Sequence, residues 1–272
     1  MSSSPSSFLS SNLAKRVLSA FILIPVVLGA VWLGDWAYFA LIALVSGLGM
    51  AEWLGLTAQK MAVRGKIAAF AGLLVPLMTQ MTRGWLAALI LLGLGMVLTF
   101  YYARRAGKDG KLADGLSPRW VAAGLPYLAL GAGGVLALRA VPEKGLFLTC
   151  FLLFSVWATD TGAYAAGRTI GGPKLLPQIS PKKTWAGLIG GMVLAALIGY
   201  GCALGFGESA PASYAALAAV LALVSQAGDF FESYVKRRAG AKDSGTLIPG
   251  HGGVLDRIDG LLFAAAFMAL VV

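Results

Sequence analysis

Two sets of acidic side chains stand at helical spacing inside apolar stretches of this chain. Asp256 and Asp259 are three positions apart, and so are Asp229 and Glu232, with Ser233 next to the latter. Residues i and i+3 share one face of a helix, so each pair would present its carboxylates together. Six acids in all lie within or at the ends of apolar runs: Glu52, Asp160, Asp229, Glu232, Asp256 and Asp259. An isolated charge at the centre of a membrane span costs about 2.5–3.5 kcal/mol on insertion scales, so such groups need partners or a water-filled cavity. Two uses are open. Carboxylates converging from two helices suit a hard divalent cation, and Mg²⁺ is commonly held by one or two carboxylates together with substrate phosphates. Local pairing is the other: Asp229 and Glu232 with Lys236, Asp256 with Arg257, and best of all Glu52 beside the basic loop 60–66, while geometry favours the first use for the rest.

The flanking segments suit phosphates. The loop 238–253 joins the two acidic stretches and closes on Pro249, Gly250, His251, Gly252 and Gly253. Glycines at the start of a helix let backbone N–H groups approach an anion near the positive helix end. Lys236, Arg237, Arg238 and Lys242 add cationic charge, and Arg257 adjoins Asp256. His251, the only histidine, would either hydrogen-bond at the helix start or transfer a proton. A second loop, 167–187, has the same character. Its glycines lead to Ser180, Lys182, Lys183 and Thr184, hydroxyls able to cap a helix or bind phosphate and lysines that act as point charges. A solvated basic loop would look the same. Asp160 lies deeper, either in the same polar cavity or on a separate ion path. Together these residues read as Mg²⁺-dependent chemistry on a polyphosphate.

The elements that must position them are membrane spans. Of 272 residues, 58 % are hydrophobic and only 12 % charged, too apolar for an ordinary soluble enzyme, a disordered chain or a secreted disulfide scaffold. Cys150 and Cys202 lie in apolar runs and behave as small hydrophobes. A bilayer core of about 30 Å needs about 20 apolar residues per helix. Nine candidates follow: 17–33, 36–56, 67–81, 85–102, 120–141, 146–166, 188–206, 213–233 and 254–272. They form one membrane domain, 17–272, after a polar Ser-rich tail, 1–16. Lys15 and Arg16 precede the first run without a convincing cleavage site after it, so that run reads as an uncleaved span.

The net charge of +10 falls in short clusters between spans, which argues against a nucleic-acid partner. With a cytoplasmic N-terminus, Arg83, Arg139 and Lys144 lie outside and Arg257 within the last span, leaving 18 of the 22 basic residues inside. That bias sets the orientation. The glycines, 36 in number, are about twice the ~7 % average. Gly47 with Gly49, Gly93 with Gly95, and Gly131 with Gly133 and Gly134 would let helices approach closely.

These residues resemble the signature of the phosphatidate cytidylyltransferase (CDP-diacylglycerol synthase) family. The run 233–259 carries the resemblance, through Ser233, Lys236, Arg237, Lys242, Asp243, Gly245, Pro249-Gly250-His251-Gly252-Gly253, Asp256, Arg257 and Asp259. So do Gly228-Asp229-Phe-Phe-Glu232-Ser233, Asp160-Thr-Gly-Ala-Tyr164 and Ser180-Pro-Lys-Lys-Thr184-Trp185. The motifs cover 160–259, while the first five spans match in general character only. Ala186 departs from the Glu expected there.

The resemblance implies the reaction CTP + phosphatidate → CDP-diacylglycerol + pyrophosphate. It further implies an all-α polytopic membrane fold, dependence on Mg²⁺ with K⁺ as a possible second cation, and a homodimer in the bacterial inner membrane. By motif position Asp229 and Asp256 become the leading metal-binding carboxylates, with Asp259 and Asp160 secondary. Lys182, Lys183, Lys236, Arg237 and Arg257 would offset substrate charge. Two alternatives remain, an ion-coupled transporter and a CTP-dependent polyprenol kinase. The acids cluster at one surface rather than at the midplane, which is unlike a transporter site.

Overall fold

The structure, a computed structural model, describes residues 12–248 and 252–272. Among them are nine α-helices and one two-stranded sheet. In chain order the helices are α1 (Asn12–Leu33), α2 (Asp35–Thr57), α3 (Val63–Arg83), α4 (Trp85–Lys108), α5 (Pro118–Arg139) and α6 (Gly145–Thr169). Then come β1 (Lys174–Leu176), β2 (Ser180–Thr184), α7 (Trp185–Gly205), α8 (Pro211–Arg238) and α9 (Leu255–Val271). The nine expected spans coincide with these helices. Six of them, α2 and α4 to α8, are long and apolar enough to cross a membrane by length and composition. The chain is an all-α polytopic membrane protein.

α5 lies at the centre, 78 % of its most apolar window being buried against 33 % for α2. It packs on α3, α4, α2 and α9, while α6 lies along α7 and α8 bridges α7 and α9. Outward faces carry bare apolar side chains such as Phe21, Leu86, Val97 and Leu197, as a lipid-facing surface requires. The helices meet tightly. α1 and α2 are separated by Gly34 alone, and α3 and α4 by Gly84 alone, both at positive φ, which a side chain would strain.

The glycine pairs divide. A Cβ on Gly72 would come 2.9 Å from Cα of Gly95, and one on Gly134 would come 2.6 Å from the carbonyl oxygen of Ala265 in α9. Gly47 and Gly93 have nothing within 4 Å. Residues two apart point to different sides of a helix, so only one member of Gly47/Gly49 and of Gly93/Gly95 lies in an interface.

Two boundaries differ from expectation in ways that matter. α8 continues to Arg238 rather than stopping near 233, which places Lys236 one turn beyond Glu232 instead of in the loop. Lys236, Arg237 and Arg238 are sound helix formers, and cations are favourable in a last turn. The segment expected as a plain loop holds an antiparallel hairpin pairing Lys174 with Thr184 and Leu176 with Ser180. Thr184 then caps α7, its hydroxyl accepting from the Gly187 N–H at 3.0 Å.

Candidate active site

The C-terminal half of α8, the first turn of α9 and the loop between them converge at one end of the bundle. Asp256 stands in the first turn of α9. Its Oδ1 takes the Lys236 ammonium at 2.6 Å, and its Oδ2 accepts from the backbone of Gly253 at 2.8 Å and of Ser244 at 3.0 Å. The Ser244 hydroxyl lies 3.1 Å from the same oxygen. Lys236 also binds Oε2 of Glu232 at 2.6 Å, and the Glu232 side chain is wholly buried. One ammonium thus serves two carboxylates.

Asp229, on the same helix, is ion-paired with Lys183 at the end of the hairpin. Lys183 also stands 4.6 Å from the centre of the Phe230 ring. Asp229 and Asp256, together with Asp160, Asp243, Asp259, Lys236 and Arg257, line a cavity of about 350 Å³. A second cavity of about 220 Å³ is lined by Lys182, Lys183, Thr184, Tyr164 and Gln226, and shares Asp160 and Asp229 with the first. An acid-rich chamber and a lysine-bearing chamber therefore meet at two carboxylates.

The expected site residues are mostly gathered here: Asp160, Asp229, Asp256 and Asp259, with Lys182, Lys183, Thr184, Lys236 and Arg257. Five lie elsewhere or play another part. Ser180 is in the hairpin and lines neither chamber. Arg237 is exposed and donates to the Ala241 carbonyl, closing the end of α8. Lys242 is exposed outside both chambers. Gly253 gives its N–H to Asp256 rather than leaving it open for phosphate. Gly252, at φ +85, carries the chain past the Asp256 carboxylate and pairs with Ile248. His251, with Pro249 and Gly250, lies outside the described residues.

The pairing expected for Glu52 is not found. Its carboxylate turns instead to the α8–α9 loop, accepting from Val254 N, Leu255 N and the Ser244 hydroxyl, each at 2.8 Å. Asp256 pairs with Lys236 of α8, not with its neighbour Arg257 as local pairing would have it. Asp243, which lines the chamber, and Ser244, which bonds Asp256, join the site from the signature run without being among the expected site residues. An acid inside an otherwise apolar span was the available signal for Glu52.

The groups of the acid-rich chamber able to ligate an ion are carboxylate oxygens, as a hard divalent ion prefers, and they stand beside the cationic Lys236 and Arg257. Among the described residues no three acidic, histidine or cysteine side chains come close enough to cage an ion unaided. An ion held here would complete its shell with water and phosphate oxygens, which is how Mg²⁺ is commonly bound. Lys183 and Lys236 neutralise the two leading carboxylates, so a cation held there would compete with both ammonium groups.

Fold and site together define a polytopic membrane protein with charged chambers at one end of its helices. The family model described as "Cytidylyltransferase family" matches residues 14–272, and the chain belongs to that family. It is 39 % identical to the phosphatidate cytidylyltransferase of Brucella suis biovar 1 over 264 residues, covering 96 % of this chain and 93 % of the relative. Against the protein of the same name from Haemophilus influenzae it is 36 % identical, with 94 % and 97 % covered. The Pseudomonas aeruginosa protein of that name gives 36 % identity, with 94 % and 96 % covered.

Proposed function

We propose that this chain transfers the cytidylyl group of CTP to phosphatidate, giving CDP-diacylglycerol and pyrophosphate. The observation that carries the reading is the junction of the two chambers at Asp160 and Asp229. A soluble triphosphate and a lipid phosphate need adjoining sites at the end of a membrane bundle, and these chambers offer them. The relatives' shared name supports the same reaction.

In this reading the phosphatidate phosphate attacks the α-phosphorus of CTP, the new P–O bond forms, and the bond to pyrophosphate breaks. Two anions must approach, so charge neutralisation and in-line positioning matter more than proton removal. Lys182, Lys183 and Thr184 bind the lipid phosphate in the smaller chamber. Lys236 and Arg257 face the nucleotide phosphates in the larger one. Asp229 and Asp256 would hold a divalent cation, with Asp160 and Asp259 beside them. Mg²⁺ bound there, with K⁺ as a second ion, would offset charge on CTP and on the leaving pyrophosphate. Gly252 and Gly253 act by seating Asp256. Ser180, Arg237 and Lys242 line neither chamber.

The bias of basic residues supports a chamber facing the cytoplasm from the bacterial inner membrane, within a single catalytic domain spanning 17–272. The homodimer rests on the resemblance alone. The test is to supply detergent-purified protein with phosphatidate, Mg²⁺ and CTP labelled in the cytidine. Lipid-soluble cytidine with one pyrophosphate per transfer supports the proposal. Release of CDP beside a phosphorylated lipid would point to a lipid kinase, and ion flux without CTP turnover to a transporter.

A further inference from the structure

Glu52 belongs to α2, in the half of the chain that the signature motifs do not reach. Both its oxygens are nevertheless engaged with the catalytic loop. Oε1 accepts from Val254 N, and Oε2 from Leu255 N and Ser244 Oγ, all at 2.8 Å. Ser244 in turn lies on Oδ2 of Asp256 through both its N–H, at 3.0 Å, and its hydroxyl, at 3.1 Å. A carboxylate here satisfies N–H groups that the first turn of α9 leaves without helical partners.

Space has been kept for it. A Cβ on Gly245 would stand 2.7 Å from Oε1 of Glu52. A Cβ on Gly253 would overlap Oε2 of Glu52 and the Ser244 hydroxyl. Glu52 thus limits the room at both glycines, alone at Gly245 and together with the Ser244 hydroxyl at Gly253.

We propose that Glu52 is a positioning residue for the transfer reaction. It clamps Ser244 and the start of α9 so that Asp256 faces the chamber in one orientation. The inference rests on the assignment of Asp256 to the reacting centre, and it adds a requirement from the N-terminal half of the bundle. Displacing a catalytic group by about 1 Å can cost about a hundredfold in rate, so loss of the clamp should show in turnover without unfolding the protein.

The test uses the full chain in detergent. Glu52→Gln keeps the shape, but its amide must set a donor against a backbone N–H. Expected is a fall in kcat of about tenfold or more per folded molecule, with the KM for phosphatidate held within about twofold. Hydrogen exchange should quicken at Val254 and Leu255 while the α5 core stays protected. Ser244→Ala should also lower kcat, and the double variant should be no slower than the slower single one, because both act through one path. Wild-type kcat in Glu52→Gln, or losses that simply multiply, would overturn the proposal. If Glu52→Gln does not accumulate as folded protein, Glu52→Asp is carried through the same comparison, and wild-type kcat there has the same meaning. Asp256→Asn separates the two levels. If it is inactive while Glu52→Gln is normal, only the clamp fails; if it is active, the assignment of Asp256 fails first.

Discussion

Lys236 and Asp256 meet at 2.6 Å although they stand 20 positions apart on two different helices. The same ammonium reaches Glu232 at 2.6 Å. The last turn of α8 is thereby fastened to the first turn of α9, and two negative charges in a low-dielectric setting share one positive charge. Breaking a buried pair leaves an uncompensated ion, whereas replacing both partners by apolar groups is often tolerated.

Lys236→Met should therefore destabilise the protein by about 3–5 kcal/mol, because Glu232 is left with no exposure at all. Adding Glu232→Leu should recover much of that loss. Thermal unfolding in detergent checks both; a single variant as stable as wild type would contradict the account of Lys236.

Lys182 lines the smaller chamber without being the partner of Asp229. Lys182→Met should raise the KM for phosphatidate by about tenfold, the scale of one charge-assisted hydrogen bond, and leave the KM for CTP nearly unchanged. Steady-state kinetics in mixed micelles reads the difference. An equal rise for both substrates would contradict separate chambers.

Chelation by EDTA should abolish transfer, and added Mg²⁺ should restore it. Asp229→Asn should raise the Mg²⁺ concentration needed for half-maximal rate, since one charged ligand is lost. An unchanged Mg²⁺ dependence in that variant would remove Asp229 from the metal role.

Packing makes a prediction of its own. Gly134→Leu would drive a side chain into the α9 backbone at Ala265, while Gly93→Leu points into open space. The first should lower the melting temperature by several degrees or prevent assembly, and the second should leave it nearly unchanged.

The helices were legible because hydropathy and the placement of basic residues report the same thing, a chain threaded back and forth through a bilayer. The acids of 229–259 were legible as a group because a carboxylate in an apolar run is expensive and stands out. What periodicity could not convey is partner choice. Asp256 has Arg257 beside it yet pairs with Lys236, because α8 runs on to Arg238 and brings the lysine across. Glu52 was read against its nearest basic loop, since sequence distance hides that α2 ends beside the start of α9. The hairpin of β1 and β2 is not legible because Pro181, Lys182 and Lys183 carry no strand alternation, and its pairing is irregular between Lys174 and Leu176.

The proposed transfer stands on Asp256. The most direct measurement is single-turnover transfer of label from α-³²P CTP into chloroform-soluble lipid, comparing wild type with Asp256→Asn at equal amounts of folded protein. A loss of about a hundredfold or more, the scale of removing a preorganised electrostatic group, is predicted. Transfer at a near-normal rate in the Asn variant would contradict it.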